Sequence, residues 1–174
     1  MSAIEESTPS RVRVRTARSD ELAAVGELTV EAYATAGYLD NEHGYADTLR
    51  DAASRAAAGD VLVAVDEADR LLGAVALFTF DAGPEWAEQA EPGDAVIRML
   101  AASPAARGLG VGAALATACV ERARELGCRR VRLSTQPMMK AAHRIYERLG
   151  FQRAPQNDWE PVPGIELLGY ELAL

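Results

Sequence analysis

The sequence predicts a single α/β domain, and three observations carry that prediction. The chain has 174 residues, 49% of them hydrophobic, which suits one domain with a sizeable core. Strand-like and helix-like runs alternate along it. A glycine-rich turn at 107–112, Arg-Gly-Leu-Gly-Val-Gly, joins one such strand to one such helix.

Residues 1–10 contain Glu5, Glu6 and Pro9 and no hydrophobic signal core, so they read as a disordered lead-in and secretion is not expected. The domain is expected to occupy 11–174, with no internal repeat. Residues 11–15 alternate arginine with valine, as a first strand does. Ser19 is placed to cap a helix beginning at Asp20 and Glu21, with Leu22, Val25, Leu28 and Ala32 on one face. A turn-rich stretch at 37–44 precedes a second helix over 45–58, ended by Gly59. Runs 61–65 and 71–80 form a hairpin across 66–70. Residues 81–94 make a loop with five acids and no base, and 95–102 form the next strand. Beyond the glycines, Val111, Leu115, Cys119, Ala123 and Leu126 recur at helical spacing, and Gly127 closes the helix. A short strand follows at 130–134. Pro137 opens another helix with an apolar stripe of Met138, Ala142, Ile145 and Leu149, ended by Gly150. Residues 165–174 read as the last strand.

The turn at 107–112 carries the chemistry. Gly108, Gly110 and Gly112 lack Cβ atoms, so the backbone amides there can approach a ligand closely. The first N–H groups of the following helix are unpaired, and its dipole adds partial positive charge. Arg107 adds a full charge. Such a turn receives a phosphate or pyrophosphate, although a tight packing turn would use the same residues.

With the strands and helices around it, this region resembles the GCN5-related N-acetyltransferase (GNAT) family. The resemblance is strongest over about 95–153. Arg107, Gly110 and Gly112 match the family's Arg/Gln-x-x-Gly-x-Gly/Ala signature. Ala142, Tyr146, Glu147, Gly150 and Phe151 match its Ala-x-x-x-Tyr-Glu-x-x-Gly-Phe ending. The resemblance implies a mixed, mostly antiparallel sheet splayed between two parallel strands and flanked by helices, with strands 95–102 and 130–134 as the parallel pair. It implies acetyl-CoA as cosubstrate and N-acetyl transfer to a primary amine by direct attack on the thioester. Main-chain groups of Leu100, Ala101 and Ala102 would pair with the pantetheine arm. Arg107 and the Gly108 turn, with the amides of Leu109, Gly110, Val111 and Gly112, would hold the pyrophosphate. Tyr146 would protonate the departing thiolate, which leaves best with a proton donor close by.

Several residues have a plainer explanation beside the chemical one. Tyr146 also suits a buried tyrosine that only satisfies its hydroxyl. His143 is expected on the solvent side of its helix, Arg98 in a structural ion pair, and Cys119 in the core. Two positions depart from the family pattern. Met139 stands where many members carry asparagine, leaving Gln136 or Lys140 to supply a polar contact. Ser134 stands where some relatives place a glutamate base, so the base is unassigned.

The acceptor side is expected from Glu31, Tyr33, Tyr38, Asp40, Glu42, His43 and Tyr45, joined by Glu85, Trp86, Glu88 and Glu91. Acids and aromatics together suit a cationic amine, on a small molecule or a peptide, although solvated acidic loops would look the same. The segment 155–164, with Trp159, is placed to cover the site. A formal charge of −8 argues against nucleic-acid binding, and no apolar run is long enough to span a membrane. Two cysteines and no Cys/His cluster point to a reduced, cytoplasmic setting and no metal. Oligomeric state is left open, a homodimer included. Two other readings compete. A non-catalytic acyl-CoA sensor would keep the turn without needing Tyr146. An NAD-binding oxidoreductase would use Gly108, Gly110 and Ala113, but the strand ending at Ser134 and Thr135 offers no acid for the ribose.

Overall fold

The computed structural model describes residues 11–39 and 44–174, so the expected lead-in at 1–10, together with Asp40, Glu42 and His43, lies outside the described residues. The elements, in order, are β1 (Arg13–Thr16), α1 (Leu22–Thr35), α2 (Tyr45–Arg50), α3 (Ala52–Ala58), β2 (Asp60–Val65), β3 (Leu71–Thr79), β4 (Asp94–Ala102), α4 (Val111–Glu125), β5 (Arg130–Thr135), α5 (Lys140–Arg148), β6 (Gln152–Arg153), β7 (Trp159–Val162) and β8 (Ile165–Ala173). The sheet runs β1-β2-β3-β4-β5-β8-β6, with β7 paired to β8. Only β4 and β5 are parallel among the described strands, which is the mixed, mostly antiparallel α/β arrangement and the parallel pair that the sequence implied. None of the helices described is long and apolar enough to cross a membrane.

The sheet is buried on both faces, and strand parity assigns each side chain to one of them. Along β2, Leu62 and Ala64 join Ile97, Val131 and Leu133 against Leu115 and Cys119 of α4. Val61, Val63 and Val65 point the other way, against Val25 of α1 and Ala52 of α3. Further along that second face, Ala76, Phe78 and Val96 are covered by Ala87 from the acidic loop.

Some boundaries differ from the sequence reading for local reasons. Helix 45–58 is two helices. Asp51 leaves the helical region (φ −82°, ψ 66°) and its carboxylate accepts from the Ser54 amide at 3.1 Å, capping α3. The α1 entry uses Glu21 rather than Ser19, its carboxylate accepting the Arg18 amide at 2.7 Å after a 3-10 turn at Ser19–Glu21. Pro137 lies in a turn closed by the Met139 amide on the Gln136 carbonyl, and the helix begins at Lys140. The stripe on α5 is also rotated. His143 and Tyr146 are its buried residues, Ile145 and Leu149 are half-buried, and Met138, ahead of the helix, is 56% exposed. Leu126, at the end of the α4 stripe, is likewise exposed. Strands β6 and β7 are too short and too polar to have carried a sequence signal.

Two features decide the course of β4. At its start, buried Asp94 accepts from Arg130 Nε at 2.8 Å and Nη2 at 2.9 Å, and from the Glu91 amide at 2.9 Å. Arg132 Nη1 approaches the same carboxylate at 3.4 Å. This clamp ties β4 to β5 where their pairing begins, Asp94 opposite Arg130. Further on, Ala76 faces Arg98 and Ala74 faces Ala101, so Val75 alone opposes both Met99 and Leu100. That is a β-bulge, with Met99 in the left-handed region at φ 56°. A bulge bends its strand, and pairing to β5 stops at Ile97 opposite Leu133. Past that point the strands part.

Two stability predictions follow from this packing. Gly26 on α1 is buried, and a Cβ there would run into the carbonyl oxygen of Arg50 in α2. Gly26→Ala should therefore destabilise the protein by about 1–3 kcal/mol through overpacking, read as a lower midpoint in thermal or urea unfolding. Asp94→Asn should destabilise by about 3 kcal/mol, since it leaves two guanidinium groups without their buried counter-charge. Burial alone would raise the Asp94 pKa, but its hydrogen bonds to Arg130 and the Glu91 amide hold it below the usual carboxylate range. A lowered folded-state pKa means that this contribution is full above about pH 4 and is lost as pH falls through the folded value. The Tm gap between parent and Asp94→Asn should accordingly narrow below about pH 4.

Candidate active site

The parting of β4 from β5 opens a cleft of about 250 Å³. Residues 97–102 form one wall, and Ser134 and Thr135 of β5 begin the other. Met139, Ala142, Ile145 and Tyr146 come from the α5 side, and Tyr33 and Tyr38 from the end of α1. On the β5 side, Ser134 and Thr135 already pair with Gly169 and Leu168 of β8. The inner edge of β4 beyond Ile97 has no strand partner, so its main-chain groups are available to an extended ligand.

Of the nine residues expected to hold the cofactor, Leu100, Ala101, Ala102, Arg107 and Gly112 line this cleft. The glycines have different tasks. Gly108 and Gly110 have φ of 80° and 73°, and a Cβ built on either meets nothing within 4 Å. Both conformations favour glycine, and the space beside them is open. Gly110 also caps α4, so the first-turn N–H groups that follow it have no acceptor within the helix. Gly112 is inside that turn, where a Cβ would stand 2.8 Å from Ile145 Cδ1. It therefore lets α4 and α5 approach closely. Val111 packs its side chain into the core and presents only its main chain, while Leu109 is exposed.

Tyr146 is 5% exposed and packs its ring against Phe151 and Tyr170, with centroids 5.7 and 6.2 Å away. Its hydroxyl makes no hydrogen bond to any described residue, yet it belongs to the cleft wall. Burial, reinforced by nearby Cys119, pushes the phenol pKa well above its ordinary value, so the hydroxyl keeps its proton. Cys119 is a core residue, its thiol raised to about 12 by burial.

One turn before Tyr146, His143 is buried, contrary to the solvent-facing position expected of it. Its Nε2 is 3.1 Å from the Gln136 carbonyl and 3.2 Å from Thr135 Oγ1. A carbonyl only accepts, so Nε2 carries a hydrogen and donates. Burial lowers the His143 pKa, which keeps the ring neutral near pH 7. The Thr135 hydroxyl in turn reaches Met139 Sδ at 3.6 Å. This threonine and histidine put polar groups beside Met139, where the family pattern has asparagine; the pairing joins residues eight apart and has no sequence signature. Trp159 Nε1 donates to Ser134 Oγ at 3.2 Å, bringing the β7 segment to the edge of the cleft.

The expected acceptor residues divide. Tyr33, Tyr38 and Tyr45 cluster, with ring centroids 5.9 and 6.4 Å apart. Arg98 enters the same corner from β4, close to the Tyr45 hydroxyl and 3.5 Å from Glu88. Burial raises the Glu88 pKa, partly offset by Arg98. Glu85 offers Arg98 its main-chain carbonyl at 3.1 Å, Glu91 pairs with Arg130 at 3.0 Å, and Trp86 stacks on Phe78. Glu31 is exposed.

An open-sided turn with left-handed glycines, a helix N-terminus, an arginine, and a strand edge and a buried hydroxyl without partners among the described residues together fit acetyl-CoA. The comparisons agree. The sequence profile of the acetyltransferase (GNAT) family matches residues 22–151. A GNAT-family acetyltransferase from Staphylococcus aureus Mu50 shares the fold with a TM-score of 0.73 at 12% identity, covering 94% of this chain and 99% of its own. The protein yncA from Salmonella typhimurium, determined with its cofactor acetyl-CoA, superposes with a TM-score of 0.67 at 20% identity over 94% of each chain. A ribosomal-protein-alanine N-acetyltransferase from Brucella melitensis gives 0.66 at 19% identity, over 93% of this chain and 99% of its own. No curated protein matches the chain. With its profile match over most of its length and the same fold as these structures, the chain belongs to the GNAT family, an acetyl-CoA-dependent group of N-acetyltransferases.

Proposed function

We propose that this protein transfers the acetyl group of acetyl-CoA to a primary amine by direct attack of the amine on the thioester. The observation that carries this reading is Tyr146 in the wall of the β4–β5 cleft, its hydroxyl without a hydrogen-bond partner among the described residues. Acetyl-CoA supplies an acyl carbon activated by a thiolate leaving group. The main chain of Leu100, Ala101 and Ala102 pairs with the pantetheine arm as an added strand. Arg107 and the turn at Gly108, with the amides of Leu109, Gly110, Val111 and Gly112, hold the pyrophosphate. One N–C bond forms and one C–S bond breaks; one proton leaves the nitrogen and one reaches the sulfur, given by Tyr146. No Asp, Glu or His side chain lines the cleft among the described residues, so none of those is assigned as the base that takes the amine's proton. Trp159, tied to Ser134, flanks the entry for the acceptor.

Gly110 tests the phosphate turn. At φ 73° any side chain costs about 1–2 kcal/mol, so Gly110→Ala should lower stability by that amount. Gly110→Val should in addition weaken acetyl-CoA binding in titrations of folded protein, because its side chain fills the open cradle. Gly112→Val should act mainly on stability, through Ile145. Unchanged acetyl-CoA affinity in folded Gly110→Val would return the turn to a packing role.

Tyr146→Phe removes one hydroxyl that no described residue binds, so the fold should tolerate it. Turnover, followed as thiol release with an amine, should fall by about 10²–10⁴-fold with little change in acetyl-CoA affinity. The loss should shrink for acyl donors whose thiols are more acidic, since a better leaving group needs the proton less. A mutant turning over at the parental rate would reduce Tyr146 to packing, and binding of acetyl-CoA without thiol release for any amine would favour a sensor.

A further inference from the structure

We infer that the acceptor is an amine bearing a carboxylate a few bonds away, and that Arg98 receives that carboxylate; this rests on the acetyl-transfer reading above. The cleft has two formal charges on its described walls, Arg107 at the glycine turn and Arg98 midway along β4, and both are positive. Of the acids that the sequence placed around the acceptor, Glu91 pairs with Arg130 and Glu88 is the partial counter-charge of Arg98 itself, while Asp40 and Glu42 lie outside the described residues. A purely cationic amine would meet a guanidinium there.

Arg98 is placed where β4 loses its partner, just beyond Ile97. Its side chain is 15% exposed. A guanidinium carries five N–H donors in a planar fork. The Glu85 carbonyl takes one, and the Tyr45 hydroxyl approaches another. The Glu88 carboxylate, at 3.5 Å from Nε, makes a charge contact without forming a hydrogen bond that meets ordinary geometry. Donors of the fork therefore remain without an acceptor among the described residues, half-buried beside a cavity. A carboxylate satisfies them in the bidentate manner for which arginine is suited. Tyr33 adds a second donor. It lines the same cleft, and burial holds its phenol well above the ordinary pKa, so it stays protonated. Arg98, Tyr33 and Tyr146 all line this one cleft. In a cleft of only about 250 Å³, an amine presented to the thioester near Tyr146 and a carboxylate on Arg98 suit the two ends of one small molecule, as in an amino acid.

The test compares an amino acid with its amide and its decarboxylated amine, across a side-chain series. Thiol release is measured at saturating acetyl-CoA, and calorimetric binding of the same amines is measured in the presence of CoA. Loss of the carboxylate should lower kcat/KM by about 10–10²-fold, mainly through KM, the scale of hydrogen bonds to a charged group. Arg98→Lys keeps a charge but loses the fork, and most of that preference should vanish with it. Glu88→Gln is the second variant, independent of how Arg98→Lys folds. It removes the competing charge, and the carboxylate preference should rise several-fold. Decarboxylated amines used as well as or better than amino acids would overturn the inference and leave acetyl transfer standing. Amino acids that bind in an Arg98-dependent way without releasing thiol would support it and overturn acetyl transfer. Neither binding nor turnover of any carboxylated amine would overturn it outright.

Discussion

The separation of β4 from β5 beyond the Ile97–Leu133 pair is the constraint on which the rest of this molecule depends. Two parallel strands normally continue their ladder, and leaving it open exposes main-chain groups that must be satisfied by something else. Here one end is held shut by a buried ion cluster, Asp94 with Arg130 and Arg132, and the other is turned away by the bulge at Met99. A methionine in the left-handed region is unfavourable by about 1–3 kcal/mol, and such strain persists only where the surrounding packing over-determines it. Met99 is buried, and the sheet on its β3 side is continuous before and after the bulge. The cleft is thus built into the core of the sheet, with walls that need no loop movement to exist.

Charge in the protein is organised by the same geometry. The chain is acidic overall, and its loop at 81–94 is acidic throughout, yet the cleft is lined by arginine, tyrosine and apolar groups. The acids are consumed in fixing β4: Asp94 and Glu91 on the β5 side, Glu88 beside Arg98. Burial raises the pKa values of Glu88 and of the enclosed tyrosines, the effect on Glu88 being partly offset by Arg98. Tyr146 follows the same rule, and its enclosed hydroxyl keeps its proton.

Glycine is used in two separate ways in this structure. Gly110 bends the chain into α4 at a positive φ, with open space beside it, where the proposed phosphate site needs bare backbone. Gly112, two residues later, has ordinary helical geometry and makes room for Ile145. Gly26 does the same between α1 and α2. A repeated residue type in one motif does not mean a repeated role.

The sequence alone determined most of the order of elements, the glycine turn, the parallel pair and the family, because these follow from local periodicity and from motifs confined to short stretches. Residues 107–112 and 142–151 carry their chemistry in consecutive positions, so they were legible without coordinates. Local signals also misplaced some boundaries. Nothing in the periodicity of 45–58 marks Asp51 as a break, and helical spacing could not tell whether α5 buries Met138 or His143. Only the tertiary structure decided those, since burial depends on which neighbouring element arrives. It alone brought His143 onto Thr135, made Arg98 both the partner of Glu88 and a wall of the cleft, and tied Asp94 and Glu91 to Arg130 across β4 and β5. These contacts join residues far apart in sequence or on different elements. Their free energies arise from burial and charge at close range, and neither exists until the sheet has formed.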